Sequence, residues 1–372
     1  GKIIPALEDY QRFLQAELLP RSTGNFRLGE VHPKLLRITL QNTIPLDELI
    51  ARSRADYSNL RREMALVSMP FYRIMYPHIN MEQLSTQYTE DQLRNLFIRG
   101  VLDKIKTDHP APENFLEAIK SGVNALKDHL NRTNLVNLPS EPINILPMPA
   151  IRQMANLVRI SGPGAYEKAG SFVAEIAPFP ADWQPAQITS FLEDYNNHFL
   201  YFWINSQIFP GPFVPLVANQ QNPSLLRKLY PNQPLLKGWP VYLNEMLITS
   251  GFGNYDLKLR MNELKYLLQI VIDFQLELNI HQGGMTKEQA VDLMTKGGFQ
   301  SPVEAERKWK QIILNPGEAI YAYVGYQEIL DIEKEYRKIK GEAFSQKEFL
   351  NELLKYGALP LRHLRTKILR GS

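Results

Sequence analysis

Apolar residues recur at intervals of three and four along most of this chain, which is the period of an amphipathic helix. Residues 45–69 show the pattern clearly, with Leu46, Leu49, Leu60 and Met64 on one face. The same period, with Pro and Gly as stop signals, predicts further helices over residues 5–19, 89–106, 112–131, 185–209, 223–230, 237–250, 255–281, 302–314, 316–339, 345–356 and 361–369. We therefore expect a mainly α-helical, multi-helix protein.

Two threonines mark helix starts. Thr89, with Gln92 three residues later, fits a capping box, and Thr286 fits an N-cap. Short apolar runs broken by glycines over residues 157–180 are the one plausible strand region, and they predict a β-hairpin or small sheet.

The Pro-rich stretch over residues 134–149 is predicted to be a surface loop. It is also the best candidate boundary between an outer helical lobe, residues 1–145, and a second lobe, residues 146–372. One continuous domain is the alternative to this division.

The second lobe is organised around an aromatic helix that runs into a Pro210-Gly211-Pro212 break, followed by a helix that starts near Lys237. On the residues alone, this is a helix end with ordinary stop signals. Core packing explains the aromatic residues better than cofactor binding does.

These residues resemble the bacterial family catalogued as domain of unknown function 885, whose members look like zinc-dependent peptidases. The family motif is H-E-x-x-P-G-H, followed about one helix later by E-G-W. The framework is kept in this chain at Pro210, Gly211, Gly238 and Trp239. The four chemical positions are changed, and they hold Ser206, Gln207, Pro212 and Lys237. Further segments that match the family lie at residues 18–29, 280–286, 323–325 and 344–360.

The changed residues cannot supply the chemistry that the resemblance implies. A catalytic zinc takes about three His, Asp, Glu or Cys ligands, and a carboxylate accepts the proton of its water. Ser206 is a poor ligand, Pro212 has no donor atom, Lys237 carries a positive charge, and Gln207 cannot accept a proton at neutral pH. The resemblance therefore implies a degenerate site, and we expect no metal and no cofactor.

The favoured function is a non-catalytic relative of zinc peptidases that binds a peptide or other ligand in a peptidase-shaped central cleft. That cleft would lie between the helix ending at Phe209 and the helix starting at Lys237. A predicted strand beside it could pair with extended peptide, as in zinc peptidases, although a purely structural hairpin fits equally well. The candidate cleft residues are Ser206, Gln207, Lys237, Glu277, His281 and Tyr323.

Two alternatives stay open. The first is an active hydrolase that is either metal-free or uses a relocated metal held by the i, i+4 pairs Asp194/His198 and Glu277/His281. A serine hydrolase is a weak case, because no G-x-S-x-G elbow is present. The second alternative is a purely structural or partner-binding protein. In addition, Glu245 could pair with Lys237 and hold its ammonium near the lost metal position.

The amino-acid composition excludes only a few of the possible functions. The chain has 372 residues, and 42 basic minus 39 acidic residues give a net charge of +3, so nothing demands nucleic acid. The absence of cysteine excludes disulfides and thiolate chemistry. The sequence contains no run of 18 apolar residues, so we expect no transmembrane helix. The resemblance makes a periplasmic or secreted location plausible, and it implies an upstream helical region that this sequence lacks, as a fragment or processed form would.

Overall fold

A computed structural model describes residues 2–152, 157–167 and 170–370, and the expected mainly helical fold is confirmed. The first α-helices are α1 (Ile3–Phe13), α2 (Val31–Leu40), α3 (Leu46–Met75), α4 (Met81–Gln87), α5 (Glu90–Ile105) and α6 (Phe115–Thr133). The central ones are α7 (Pro185–Asp194), α8 (Phe199–Gln207), α9 (Phe213–Gln220), α10 (Leu225–Leu229), α11 (Gln233–Thr249) and α12 (Leu257–His281). The last are α13 (Lys287–Asp292), α14 (Pro302–Leu314), α15 (Tyr321–Lys340), α16 (Gln346–Leu354) and α17 (Leu361–Arg370).

A three-stranded sheet is formed by β1 (Ile143–Pro147), β2 (Val158–Ser161) and β3 (Phe172–Ile176), in the order β1-β3-β2. β1 runs parallel and β2 antiparallel to β3. The small sheet predicted over residues 157–180 is therefore confirmed, although residues 168 and 169 lie outside the described part. The prediction of a loop over residues 134–149 was wrong for β1. Its last residue is Pro147, and an edge strand tolerates the missing N–H of a proline.

The aromatic stretch predicted as one helix over residues 185–209 is two helices, α7 and α8. The chain breaks at Asn196, whose Oδ1 accepts hydrogen bonds from the backbone N–H groups of His198 and Phe199, each at 3.1 Å. An asparagine that caps a new helix in this way ends the preceding one. The predicted caps of α5 and α13 are confirmed, with Thr89 and Thr286 each in a capping box.

Two clusters of buried apolar residues form the interior. The first cluster joins the sheet to α6, α8, α11 and the C-terminal helices. The second joins α2, α3 and α5 to α12 and α14. Leu267 and Ile270 of α12 pack against both clusters, so this helix links them. The division of the chain at residue 145 stays a prediction.

Candidate functional site

The helices that carry the motif positions, α8 and α11, are tied together by buried amides. Asn205 Nδ2 donates to Pro240 O at 2.8 Å and to Asn244 Oδ1 at 2.7 Å. The turn after α8 packs against this junction, because a Cβ on Gly211 would clash with the Asn205 carbonyl and lie 2.9 Å from Pro240 Cβ. The kept glycine of the motif therefore has a packing reason of its own.

Beside this junction lie two adjoining cavities of about 170 and 570 Å³, which together we call the cleft. Both cavities are lined by Val158, Gln207, Ile270, Asp273, Lys308 and Gln311. Ser206 lines the smaller cavity and Lys237 the larger one. Three of the four changed motif positions thus face one cleft. Pro212 lines neither of these cavities and sits at the N-cap of α9.

Ser206 is engaged by its own helix. Its hydroxyl donates to Trp203 O at 2.9 Å and accepts from Gln207 Nε2 at 3.1 Å. A hydroxyl that gives its proton to a backbone carbonyl is not poised to transfer that proton to a general base. This pair therefore presents neutral polar groups to the cleft, not an activated nucleophile.

Lys237 is the charged member of the changed positions. Among the described residues, its amine has no carboxylate oxygen within 4.0 Å and makes no hydrogen bond. Burial lowers the pKa of the Lys237 amine, and the nearby Glu318 carboxylate opposes this shift.

The predicted Lys237–Glu245 pair does not form. The Tyr326 hydroxyl donates to Glu245 Oε2 at 3.5 Å, and Glu245 lines a different cavity together with Arg260. Eight residues along an α-helix span about 12 Å, which is beyond the reach of this pair.

The other charged side chains of the cleft, apart from Glu318, are paired. Lys308 Nζ lies 2.8 and 3.0 Å from the two carboxylate oxygens of Asp273. Arg307 donates to Glu304 at 2.7 and 2.8 Å, and the Tyr195 hydroxyl donates to the same carboxylate at 3.0 Å. Sequence reasoning missed the Asp273–Lys308 pair because its members lie on α12 and α14, and no local spacing joins them.

Glu277 and His281 lie in a buried polar cluster behind the wall of the cleft. His32 Nε2 is 2.7 Å from Glu277 Oε1, and the Gly317 N–H donates to the same oxygen at 2.6 Å. His281 Nε2 donates to Ile312 O at 3.2 Å and lies 3.7 Å from Glu277. The predicted i, i+4 pair is present on α12, but neither residue lines the cleft cavities.

Tyr323 also points elsewhere, since its hydroxyl donates to Asp56 Oδ2 at 2.7 Å. Asp194 lies 3.1 Å from Lys265 Nζ, whereas His198 Nε2 lies 3.1 Å from Asp108 Oδ2. The expectation that Asp194 and His198 share one helix face was wrong, because the break between α7 and α8 separates them. Within the described residues, no group of three or more His, Cys, Asp or Glu side chains is placed to hold a metal ion.

Comparison with known proteins gives a matching family and several similar solved structures, two of which follow. The model of the family described as "Bacterial protein of unknown function (DUF885)" matches residues 1–368. "A putative lipoprotein of unknown function from Shewanella oneidensis" is 27% identical, with a TM-score of 0.79 over 98% of this chain and 63% of that one. "The putative lipoprotein from Colwellia psychrerythraea" is 15% identical, with a TM-score of 0.72 over 92% of this chain and 55% of that one.

The second likeness shows the fold alone, because the identity is low. The chain spans less than two thirds of the length of either structure. A search of curated proteins finds no match. Among the described residues, no helix combines the length and the apolar character needed to cross a bilayer.

Proposed function

Since the chain belongs to the DUF885 family of bacterial proteins, we propose that it is a non-catalytic member that binds an extended peptide in its cleft without hydrolysing it. The observation that carries the proposal is the clustering of Ser206, Gln207 and Lys237 in one open cleft. These are the positions at which the family motif has metal ligands and a general base. A cleft that is kept while its chemical residues are replaced is the arrangement expected of a binding site.

The residues at these positions do not fit a zinc ion. A hydroxyl, a carboxamide and an ammonium offer no set of three zinc ligands. Of the carboxylates that line the cleft, Asp273 and Glu304 already pair with Lys308 and Arg307, which leaves only Glu318 without an ion pair among the described residues. One free carboxylate does not make a zinc site. We therefore assign the cleft no step that a metal would perform.

Strand β2 supports a peptide as the ligand. It is an edge strand of the sheet, and Val158 lines both cavities of the cleft. Leu157 O accepts from Ala177 N–H at 2.9 Å, so the alternation of an antiparallel ladder turns the backbone groups of Val158 and Ile160 to the open edge. An extended peptide could pair with those groups and place its side chains in the cleft.

The location of the protein is part of the same proposal. Both solved structures are described as those of a "putative lipoprotein", and the one from Shewanella oneidensis is more than a quarter identical to this chain. These relatives support a place in the bacterial cell envelope, on the periplasmic side or secreted. Fractionation of cells that produce the native protein, followed by immunodetection in each fraction, tests this location.

The first experiment concerns the metal. Tag-free protein is analysed by plasma mass spectrometry and then titrated with zinc by calorimetry. We expect neither stoichiometric metal nor a heat of binding. Tightly held, stoichiometric zinc would contradict the non-catalytic assignment.

The second experiment concerns the peptide. A binder selected from a displayed library of short random peptides is measured by calorimetry against wild type, Ile160→Pro and Ile160→Ala. The proline removes one outward N–H that the alanine keeps, so we expect it to weaken binding by about tenfold more than the alanine does. Equal affinities, or cleavage of the bound peptide, would overturn the proposal.

A further inference from the structure

The larger cavity of the cleft is lined by two lysines, of which only one is in an ion pair. Lys308 Nζ lies within 3.0 Å of both Asp273 carboxylate oxygens, so its amine is engaged in an ion pair. Lys237 faces the same cavity and, among the described residues, has no hydrogen-bond or ion-pair partner. One cavity thus contains a lysine in an ion pair with a carboxylate and a lysine without such a partner.

Four titratable side chains besides Lys237 line this cavity. Glu318 precedes α15 and Tyr321 begins it, while Asp273 and Lys308 face the cavity from α12 and α14. Glu318 alone opposes the effect of burial, which lowers the pKa of the Lys237 amine. A lysine that gives up its proton more readily is a better nucleophile at neutral pH.

The backbone that carries Lys237 is rigidly held. The next residue, Gly238, lies against Gly325 of α15 so closely that a Cβ on either glycine would clash with backbone of the other helix. Gln207 lies across the same cavity on α8. The amine is therefore presented from a fixed helix into a space of about 570 Å³, a volume typical of small-molecule sites.

We propose that Lys237 is a reactive amine that forms a reversible imine with an aldehyde or ketone entering the cleft. The proposal rests on the cleft assigned above and names a further ligand class for it, namely compounds with an exposed carbonyl group. The neutral amine attacks the carbonyl carbon, a C=N bond replaces C=O, and the carbonyl oxygen leaves as water with the two amine hydrogens. Glu318 and Tyr321 lie on the cavity wall, where they can move these protons.

The test is limited reductive alkylation of the folded protein. Native protein is treated with propanal and cyanoborohydride near neutral pH, and labelled lysines are mapped by peptide mass spectrometry at short times. We expect Lys237 to be labelled several-fold faster than Lys308, which shares its cavity, and faster than Lys127, which is exposed. Labelling of Lys237 no faster than Lys127 would overturn the proposal.

Two arginine variants serve as controls, since each keeps the positive charge but cannot form a neutral imine. Lys237→Arg should lose the fast-labelled peptide, whereas Lys308→Arg should keep it, provided that both variants melt like wild type. The wild-type map decides the question even if a variant does not fold. If the protein binds no peptide but Lys237 is labelled fast, only the peptide proposal is rejected. If the protein binds peptide but Lys237 is labelled slowly, only the imine proposal is rejected.

Discussion

Gly238 of α11 and Gly325 of α15 lie back to back, with no room for a side chain between the two helices. A Cβ on Gly325 would clash with the Pro234 carbonyl and lie 2.9 Å from Gly238 Cα. The two glycines come from separate segments that resemble the family, residues 237–240 and 323–325. Their contact gives both segments one structural purpose, which is to place α11 and Lys237 against α15.

Replacing Gly325 with Ala should destabilise the fold by about 1–3 kcal/mol or more, because neither backbone can yield without moving a helix. The measurement is urea unfolding followed by circular dichroism. Gly164→Ala is the matched control, since a Cβ there meets only ordinary contacts. Equal unfolding midpoints for the two variants would show that the helices can separate at no cost.

Removing the Lys308 amine should leave Asp273 as an unpaired carboxylate in the cleft wall. We expect Lys308→Met to cost about 3 kcal/mol of unfolding free energy near neutral pH. Burial raises the pKa of Asp273 even beside Lys308, so the variant should recover stability as the pH falls and the carboxyl is protonated. A stability deficit of the same size at about pH 5 and about pH 8 would contradict this account. The double variant Asp273→Asn with Lys308→Met should lose the part of the pH dependence of stability that Asp273 causes.

The Glu263 carboxyl should make the stability of the fold depend on pH independently of Asp273. Burial raises the pKa of Glu263 from its ordinary value of 4.5 to about 7, against the pull of Arg260. Between these two values the folded state holds a proton that the unfolded chain has released, so stability should fall as the pH rises through that window.

We expect stability to change by on the order of 3 kcal/mol over this range of pH. Glu263→Gln should flatten the dependence of unfolding free energy on pH over this range, whereas the exposed control Glu113→Gln should leave it unchanged. An unaltered slope in Glu263→Gln would place the titration elsewhere.

The buried Glu277 carboxylate should act on stability and not on binding. Glu277→Ala removes the acceptor for His32 and for the Gly317 N–H, which should cost about 3–5 kcal/mol. Glu277→Gln keeps the shape and one acceptor oxygen, so its cost should be smaller. Peptide affinity measured on the folded fraction should match wild type in both variants, and a selective loss of affinity would return Glu277 to the binding site.

Sequence reasoning succeeded where the signal is local. The helical period, the caps at Thr89 and Thr286, and the turn at Gly211 depend on neighbouring residues, and the structure contains all of them. It failed where distant segments decide the outcome. The pairing of β1 with β3 is long-range, and the sequence offered no sign that Asp273 would meet Lys308.

The candidate site divides along the same line. Ser206, Gln207 and Lys237 follow from one motif framework, and they share the cleft. His281 and Tyr323 were grouped with them by family resemblance, and Glu277 by its i, i+4 spacing to His281. The structure gives all three partners on other helices. The direction in which a helix points such side chains depends on the helices packed against it. Residue spacing along one helix does not determine that direction.

Because α12 packs against both apolar clusters, a ligand in the cleft should affect the stability of both. Ile270 lines both cavities of the cleft and packs against both apolar clusters. A ligand that is held only by the folded cleft raises the free energy needed to open α12, and with it the free energy needed to open either cluster. Backbone amides of α3 and α5, which do not line the cleft, should then exchange with deuterium more slowly when the cleft is filled.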